Sequence, residues 1–562
     1  MSDPQPPSQQ LQQLEYPPAI HPVAGALAAR QEVRLKQFLS SLSEPQPHDP
    51  DRSQHVRYVT SCYHSRIYEV EGYKNRVSPE ARVKLESILS ELRFDRNLIY
   101  WRLFRINDLP PEILITILRY VAWSTPIQKQ GVKYRLWLTW VCRRWRSLML
   151  GDSTLWSAIW FADPPPYARS MAWFERAGTA PLDLRINERD ERWNSNEDDH
   201  RFTGEQMSDL LDMLFVKLSQ IRMLIVIVDN WPPALVVLHK LQEAGRAGLE
   251  INITRFEIHR AGRPYVWIGP GYQPDTHRNP SVLFGGQTRM LDFLCLNGIN
   301  IDWNQTPLTN LTTIDLRRLA LDVSPSLAKF TQLLRDCPRL HKLSLDGAGP
   351  APDARPLVHK PVNLLHLKIL VLGDFSLVYL RYLLAQFTAP NVLDLTLMNM
   401  NGEDYSPLLA IITPMFREVR LLTLYAIEVG TIPQSKRLLV KWFDSMNRLG
   451  LMKLAQIKRH ILEALLEDPQ QYDEHLPGTT DSPRRVLCPN FTALEYQVVQ
   501  ADAVVALGQG RKELGVPLKR IYVNEVWVPK VRGEEQTALR TVADLFIAPL
   551  GANTVEELEL ME

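Results

Sequence analysis

Apolar residues along this chain fall into two rhythms. In the first 160 residues they recur at three- and four-residue steps. Leu85, Ile88, Leu89, Leu92, Ile99 and Leu103 do so across "SPEARVKLESILSELRFDRNLIYWRLF" (78–104), and Ile113, Leu114, Ile117, Leu118 and Val121 across "NDLPPEILITILRYV" (107–121). Such spacing puts one apolar stripe on a helix. Ser78 and Pro79 suit the entry of the first helix. Pro110 and Pro111 lack the N–H that a first turn leaves unbonded, and Glu112 complements the positive end of the helix dipole, so the second helix has a defined start. Pro126 and Gly131 then interrupt the pattern. "RLWLTWVCRRWRSLML" (135–150) predicts a further helix with Leu138, Val141, Cys142, Trp145 and Leu148 on one face, and "DSTLWSAIWF" (152–161) adds a short third segment with Leu155 and Trp156.

From about residue 215 the rhythm becomes an L-x-x-L-x-L hexad: "LDFLCL" (291–296), "LTTIDL" (311–316), "LHKLSL" (340–345), "LKILVL" (367–372), "VLDLTL" (392–397), "VRLLTL" (419–424), "MNRLGL" (446–451), "FTALEY" (491–496), "LKRIYV" (518–523) and "VEELEL" (555–560), with "IRMLIV" (221–226) a fainter member. Steps of 20, 29, 27, 25, 27 and 27 residues through the central run fall within or near the window of leucine-rich repeats, which these units resemble. The fourth and sixth positions of a strand point one way and the fifth the other. Helix-like returns such as "SLAKFTQLLRDCPR" (326–339) and "SLVYLRYLLAQFTAP" (376–390) lie between hexads, so the expected fold is α/β, a solenoid with a parallel sheet on its concave side. The fifth positions Asp315, Ser344, Thr396, Thr423, Glu495 and Tyr522 are the candidate substrate-facing residues. At the ninth position the repeat consensus sets Asn or Cys, but here stand Ile299, Leu319, Ala348, Phe375, Met400, Ile427 and Leu454. Without that polar ladder the solenoid is expected to be irregular.

Three short helical segments in about fifty residues cannot bury their own apolar faces, which leaves a face for a partner. In this order, "LPPEIL", "VCRRW" and "LW" resemble the F-box family, over residues 104–161. The resemblance implies docking on a Skp-type adaptor, through it on a cullin ubiquitin ligase, by Leu109, Pro110, Ile113, Leu114, Ile117, Leu118, Val141, Cys142, Trp145, Leu155 and Trp156. The long polar connection at 122–135 departs from many F-boxes. The expected order is a disordered Pro/Gln-rich tail (1–55) with one short helix near 26–42, an amphipathic lead-in helix (56–103), the F-box (104–161), and the repeat solenoid (162–562) with an exposed insertion at about 455–490.

Composition narrows the classes. The 562 residues carry 64 Lys and Arg against 63 Asp and Glu; a dedicated nucleic-acid binder would show a basic excess. Arg135, Arg143, Arg144 and Arg146 interleave with Trp137, Trp140 and Trp145, but without a wider basic surface they are expected on a solvated or adaptor-facing flank. The five cysteines show no metal-ligand spacing and are expected reduced. No signal peptide or membrane span is expected, so the chain reads as cytoplasmic or nuclear, and its Asn-x-Ser/Thr sites as chance. "NERDERWNSNEDDHR" (187–201) reads as a solvated loop.

Catalytic motifs are not found: there is no GxSxG, HExxH or phosphate-binding Gly-Lys loop. "GQGRKELG" (508–515) is expected as a turn at a helix boundary, and His359 with His366 lacks a third ligand. No metal, cofactor or enzymatic activity is expected. The reading is a substrate receptor of an SCF-type (Skp–cullin–F-box) ubiquitin ligase, with the repeats holding a target protein near the ubiquitin carrier. The alternatives are an F-box scaffold acting without ubiquitination and a nucleic-acid- or chromatin-associated repeat protein.

Overall fold

Pairing between the hexads builds the larger part of the molecule, because a strand with one apolar face gains most by stacking on an identical neighbour. The computed structural model describes residues 22–40, 50–74, 77–103, 106–125, 128–161, 163, 165–188, 202–260, 280–353, 360–472, 484–524, 527–548 and 553–561. It divides into two compact units, Met1–Gly151 and Asp152–Glu562.

The first unit is helical: α1 (Pro22–Ser40), α2 (Pro50–Lys74), α3 (Pro79–Leu103), α4 (Pro111–Trp123), α5 (Gln128–Val141) and α6 (Arg143–Gly151). The lead-in is therefore two helices, and α2 begins inside the segment expected as tail. Ile67 and Val70 of α2 bury against Leu89 of α3, with Leu85 and Leu92 beside them, and Lys74 pairs with Glu86 at 3.0 Å. Ile88 points outward, 47% exposed. The helix expected over 135–150 breaks at Cys142, whose Sγ accepts the Trp145 backbone N–H at 3.5 Å, while the Arg146 side chain reaches back to the Thr139 carbonyl at 2.9 Å. The break ends the shared face: Leu138 is buried and Val141 is 59% exposed.

The second unit is an α/β solenoid of the leucine-rich-repeat kind. Its strands are β1 (Ala158–Phe161), β2 (Leu182–Asn187), β3 (Ile221–Val228), β4 (Arg255–Arg260), β5 (Phe293–Asn297), β6 (Thr313–Arg317), β7 (Lys342–Asp346), β8 (Val362–Asn363), β9 (Ile369–Gly373), β10 (Phe387–Thr388), β11 (Asp394–Met400), β12 (Leu421–Ile427), β13 (Leu451–Ala455), β14 (Ala493–Gln497), β15 (Arg520–Asn524) and β16 (Asp544–Ala548). All but β8 and β10, which pair with each other, form one fourteen-stranded sheet in chain order, and its pairings are parallel throughout. The return helices Leu327–Asp336 and Leu377–Leu384 start where Ser326 and Ser376 accept the N–H of Lys329 and Tyr379.

Several boundaries differ from the hexad reading. "DSTLWSAIWF" is a 3-10 turn leading into β1, so the sheet starts before residue 162. β1, β2 and β4 were missed because "WSAIWF", "PLDLRI" and "ITRFEI" fill the pattern with Trp, Pro, Ile and Phe. In β13 the register slips by three. Leu454 pairs with Leu424, so the hexad is "LGLMKL" (449–454), and Leu451 falls on the opposite face. "VEELEL" is a helix, Val555–Met561, and the last strand is "DLFIA". The insertion holds the helix Arg459–Ala464 and the 3-10 turn Pro469–Tyr472; most of "NERDERWNSNEDDHR" and His359 lie outside the described residues.

In place of a polar ladder, a backbone device recurs. Two residues beyond the hexad's last apolar position the chain takes positive φ at Gly298, Arg318, Gly347, Asp374, Asn399, Ala426, Gln456 and Val498. One left-handed residue per repeat bends the chain at the end of the strand, within it at Asn399 and Ala426, and the ninth-position residue after it, from Ile299 to Ile427 and then Ile457, is buried. Only glycine and, less readily, Asn or Asp adopt that conformation cheaply, so the turn is sustained by packing in half of these repeats. "GQGRKELG" lies largely within the helix Ala501–Glu513. An added Cβ at Gly508 would meet Val542 at 2.8 Å and one at Gly510 would meet Leu466 at 2.6 Å, so these glycines serve close packing. Arg511, fully buried, donates to the carbonyls of Leu487, Cys488 and Phe491 at 3.0–3.2 Å.

Candidate functional site

Two surfaces collect the residues singled out in the sequence. In the first unit, Pro110 caps α4 with φ −52° and ψ 145° and makes no side-chain cap bond. The Leu109 carbonyl accepts from Arg144 Nη2 at 2.8 Å, and Trp145 Nε1 donates to Asn107 Oδ1 at 2.7 Å, which ties α6 to the turn before α4. Along α4 the apolar positions split. Leu114 and Leu118 are fully buried, Ile117 is half-buried, and Ile113 and Val121 are 51% and 40% exposed. On α5, Trp137, Trp140 and Val141 are 51%, 65% and 59% exposed. Spacings of three and four residues place these on common helix faces, so α4 and α5 each leave a large apolar stripe uncovered. Val121 was expected on the apolar side of its helix, and Trp137 and Trp140 where helix burial would want them; they are exposed instead, because periodicity alone does not say which of two apolar stripes a small bundle buries.

Leu155 and Trp156 do not belong to that surface. They are 0% and 1% exposed and lie in the second unit. The Trp156 ring packs edge-on against Trp173 at 5.3 Å, with Arg176 over it at 5.5 Å, so both residues are core at the start of the sheet. Nor do the four arginines make one patch: Arg135 is 3% exposed, stacked on Trp123 at 4.9 Å.

In the second unit the six fifth-position residues fall on a single row. Register runs from Glu257 to Cys295, Asp315, Ser344, Val371, Thr396 and Thr423, and on to Lys453, Glu495, Tyr522 and Phe546. Their environments differ. Asp315 and Ser344 are 3% and 1% exposed, and Arg317 holds the Asp315 carboxylate through two bonds of 2.7 and 2.6 Å; neither presents surface to a partner. Small and short side chains in mid-sheet are enclosed by their strand neighbours, which alternation does not reveal. Thr396 and Thr423 are partly exposed.

Lys453, missed through the register slip, sits between Glu495 at 3.3 Å and Glu557 at 2.5 Å. Burial alone would lower its pKa, but these carboxylates hold it above its usual value. The Tyr522 hydroxyl donates to Glu556, and its ring stacks on Phe546 at 5.5 Å. Beside this row Asp394 is pushed up to about 6, by burial first, with Lys453 and Lys342 opposing and Glu557 adding to the rise.

Further along the row, Glu257, His259 and Cys295 bring three metal-ligand atoms within 4.8 Å of one another. His259 Nε2 lies 3.1 Å from Glu257 and 3.9 Å from the Cys295 sulfur. Burial, then the charges of Asp315 and Glu257, push the Cys295 thiol up. Burial would raise the Glu257 carboxyl too, but His259 and Arg255 hold it below its usual range. The donors are thus engaged with one another and with a cation, with a protonated thiol, which is the chemistry of a buried polar cluster.

No protein-family model matches the chain, and no curated protein matches its sequence. Among solved structures it is similar to the leucine-rich repeat-containing protein LegL7 from Legionella pneumophila, at 13% identity, covering 72% of this chain and 96% of that one with a TM-score of 0.29. The solenoid assignment rests on the strand order and register described above. No helix among the described residues is long and apolar enough to cross a membrane.

Proposed function

We propose that this chain is a substrate receptor of an SCF-type ubiquitin ligase, in which α4 and α5 dock on a Skp-type adaptor and the sheet face carrying the row from Val371 to Tyr522 holds a target protein. The observation that carries the first half is the exposure of Ile113, Val121, Trp137, Trp140 and Val141 on the helices that bear the F-box-like residues. Soluble proteins rarely leave so much apolar surface together unless a partner covers it. Trp is also among the residues most enriched at binding hot spots. The second half rests on the repeat architecture, whose parallel sheet lines up the partly exposed Val371, Thr396 and Thr423 on one face with Lys453, Glu495 and Tyr522. In this scheme the chain makes and breaks no bond itself. It raises the concentration of a target beside a ubiquitin-charged carrier.

The test is co-purification of the full chain with a Skp-type adaptor, beside a Trp140→Asp/Val141→Asp variant shown by circular dichroism to be folded. The wild type is expected to retain the adaptor and the variant to lose it. A folded wild type that ignores the adaptor would sink the proposal.

A further inference from the structure

The string "VEELEL" does not extend the sheet but lies across it. The helix Val555–Met561 rests on the strand face that bears the row, over β12 to β16. Leu560 packs on a cluster of Leu421, Leu451, Ala493, Tyr522 and Ala548, and its carbonyl accepts from Arg420 at 2.9 Å. Glu557 pairs with Lys453 at 2.5 Å, and Glu556 pairs with Arg520 and accepts from Tyr522. Gly450 leaves room for the anchor: an added Cβ there would lie 2.8 Å from Leu560 Cδ2. Glu556, Glu557 and Leu560 fall on one helix face, whereas Leu558 and Glu559 face solvent.

Two features distinguish this contact from ordinary core. About two turns of helix cannot persist in water unless docked, because nucleation is costly; the segment is helical because it is seated. Its hold consists of one half-buried leucine, the hydrogen bonds from Arg420 and Tyr522, and two ion pairs whose carboxylates, Glu557 and Glu556, are 10% and 12% exposed while Lys453 and Arg520 stay 24% and 43% exposed. Ion pairs taken partly out of water gain little net free energy, because desolvation offsets their attraction. A two-turn segment held this way belongs to the less stable part of a fold. The surface beneath it is by contrast built on paired strands, with an apolar centre, three cations around it and a tyrosine hydroxyl.

We infer that this seat is the sheet's docking site for an acidic helical segment of a target protein with Glu-Glu-x-x-Leu spacing, and that the chain's own C-terminal helix occupies it until such a segment displaces it. That the ligand in trans is a target protein rests on the receptor reading above; the seat rests on the contacts just given. A tethered occupant lowers apparent affinity by the fraction of molecules in which the seat is free, so opening the seat should strengthen binding in trans.

The probe is a fluorescein-labelled peptide of residues 553–562, followed by anisotropy against the full wild-type chain and the full Glu556→Lys/Glu557→Lys chain, whose helix is repelled by Lys453 and Arg520. The opened chain should bind the peptide about ten-fold tighter than wild type or more, and adding Lys453→Glu should remove that gain. Equal binding to both chains, or none to an opened chain with wild-type melting, overturns the inference. If the opened chain does not fold, hydrogen exchange of the wild type decides. Amides of 556–561 exchanging about 100-fold faster than those of Leu451–Ala455 support a displaceable helix, and equal protection refutes it. Adaptor binding is measured on the same preparations. Its failure with the seat intact removes the receptor reading alone, and the converse removes the seat alone.

Discussion

Neighbouring residues on α4 should respond to truncation in opposite ways. Leu114 is fully buried and Ile113 is 51% exposed. Leu114→Ala removes packed methyl groups and leaves a cavity, a loss of about 2–5 kcal/mol, which in a unit of this size lowers the melting temperature by about 10 °C. Ile113→Ala removes a half-exposed side chain at a position where Ala is the better helix former, so the melting temperature should move little. The expected loss is in adaptor affinity. Full burial of an Ile side chain stabilises by about 1.5–3 kcal/mol, and the half still exposed accounts for about 1 kcal/mol, roughly five-fold in Kd. Trp140, 65% exposed, has about 130 Å² left to bury, or about 3 kcal/mol and a Kd change of about 100-fold. Titration calorimetry of the full chain with a Skp-type adaptor, paired with thermal denaturation of each variant, reads both quantities. If Ile113→Ala or Trp140→Ala melts as low as Leu114→Ala, the stripe is core and the reasoning fails. If the melts hold and affinity does not change, the stripe is exposed for some other partner.

How far the sequence carried this reading depended on how local each signal was. The leucines of β5, β6, β7, β9, β11 and β12 fix those strands, because alternation over six residues is a local property. Register beyond them was not local. Leu449 and Leu451 both satisfy the leucine positions around β13, and pairing with Leu424 chose between the two frames; the wrong frame hid Lys453. "VEELEL" matches the same hexad, but Glu556, Glu557 and Glu559 give three carboxylates in a row of helix-favouring residues, and Thr554 closes a cap with Glu557 in both directions, at 2.6 and 3.3 Å. That Thr-x-x-Glu capping box begins one residue before the string, and it outranks leucine spacing because it specifies a helix start. The six row residues share one register line because period two is geometric. Their accessibility was not legible, because Arg317 over Asp315 and the distant helix over Tyr522 are tertiary facts. For the same reason α4 was found from its sequence, while the split between Leu114 and Ile113 needed the neighbouring helices.

Two further outcomes follow from particular side chains. Val498, β-branched and held at φ +54°, occupies a conformation that Asn tolerates far better. Val498→Asn should therefore raise stability by about 1 kcal/mol in urea denaturation, and a loss would show that its packing outweighs its backbone strain. Asp394 gives a dependence on pH. Its carboxyl stands at about 6 in the folded chain, above the ordinary 3.8 of an Asp carboxyl, with Oδ1 buried and lacking a hydrogen bond. A raised acid binds its proton more tightly when folded, so stability from this group is present below pH 4 and is lost as pH rises to 6. Two units correspond to about 3 kcal/mol. Asp394→Asn cannot ionise, so it should match wild type near pH 4 and exceed it by about 1–3 kcal/mol at pH 7, with the gap opening between those values. A constant gap across that range would mean that the gain comes from Asn hydrogen bonding and that the Asp394 proton plays no part in it.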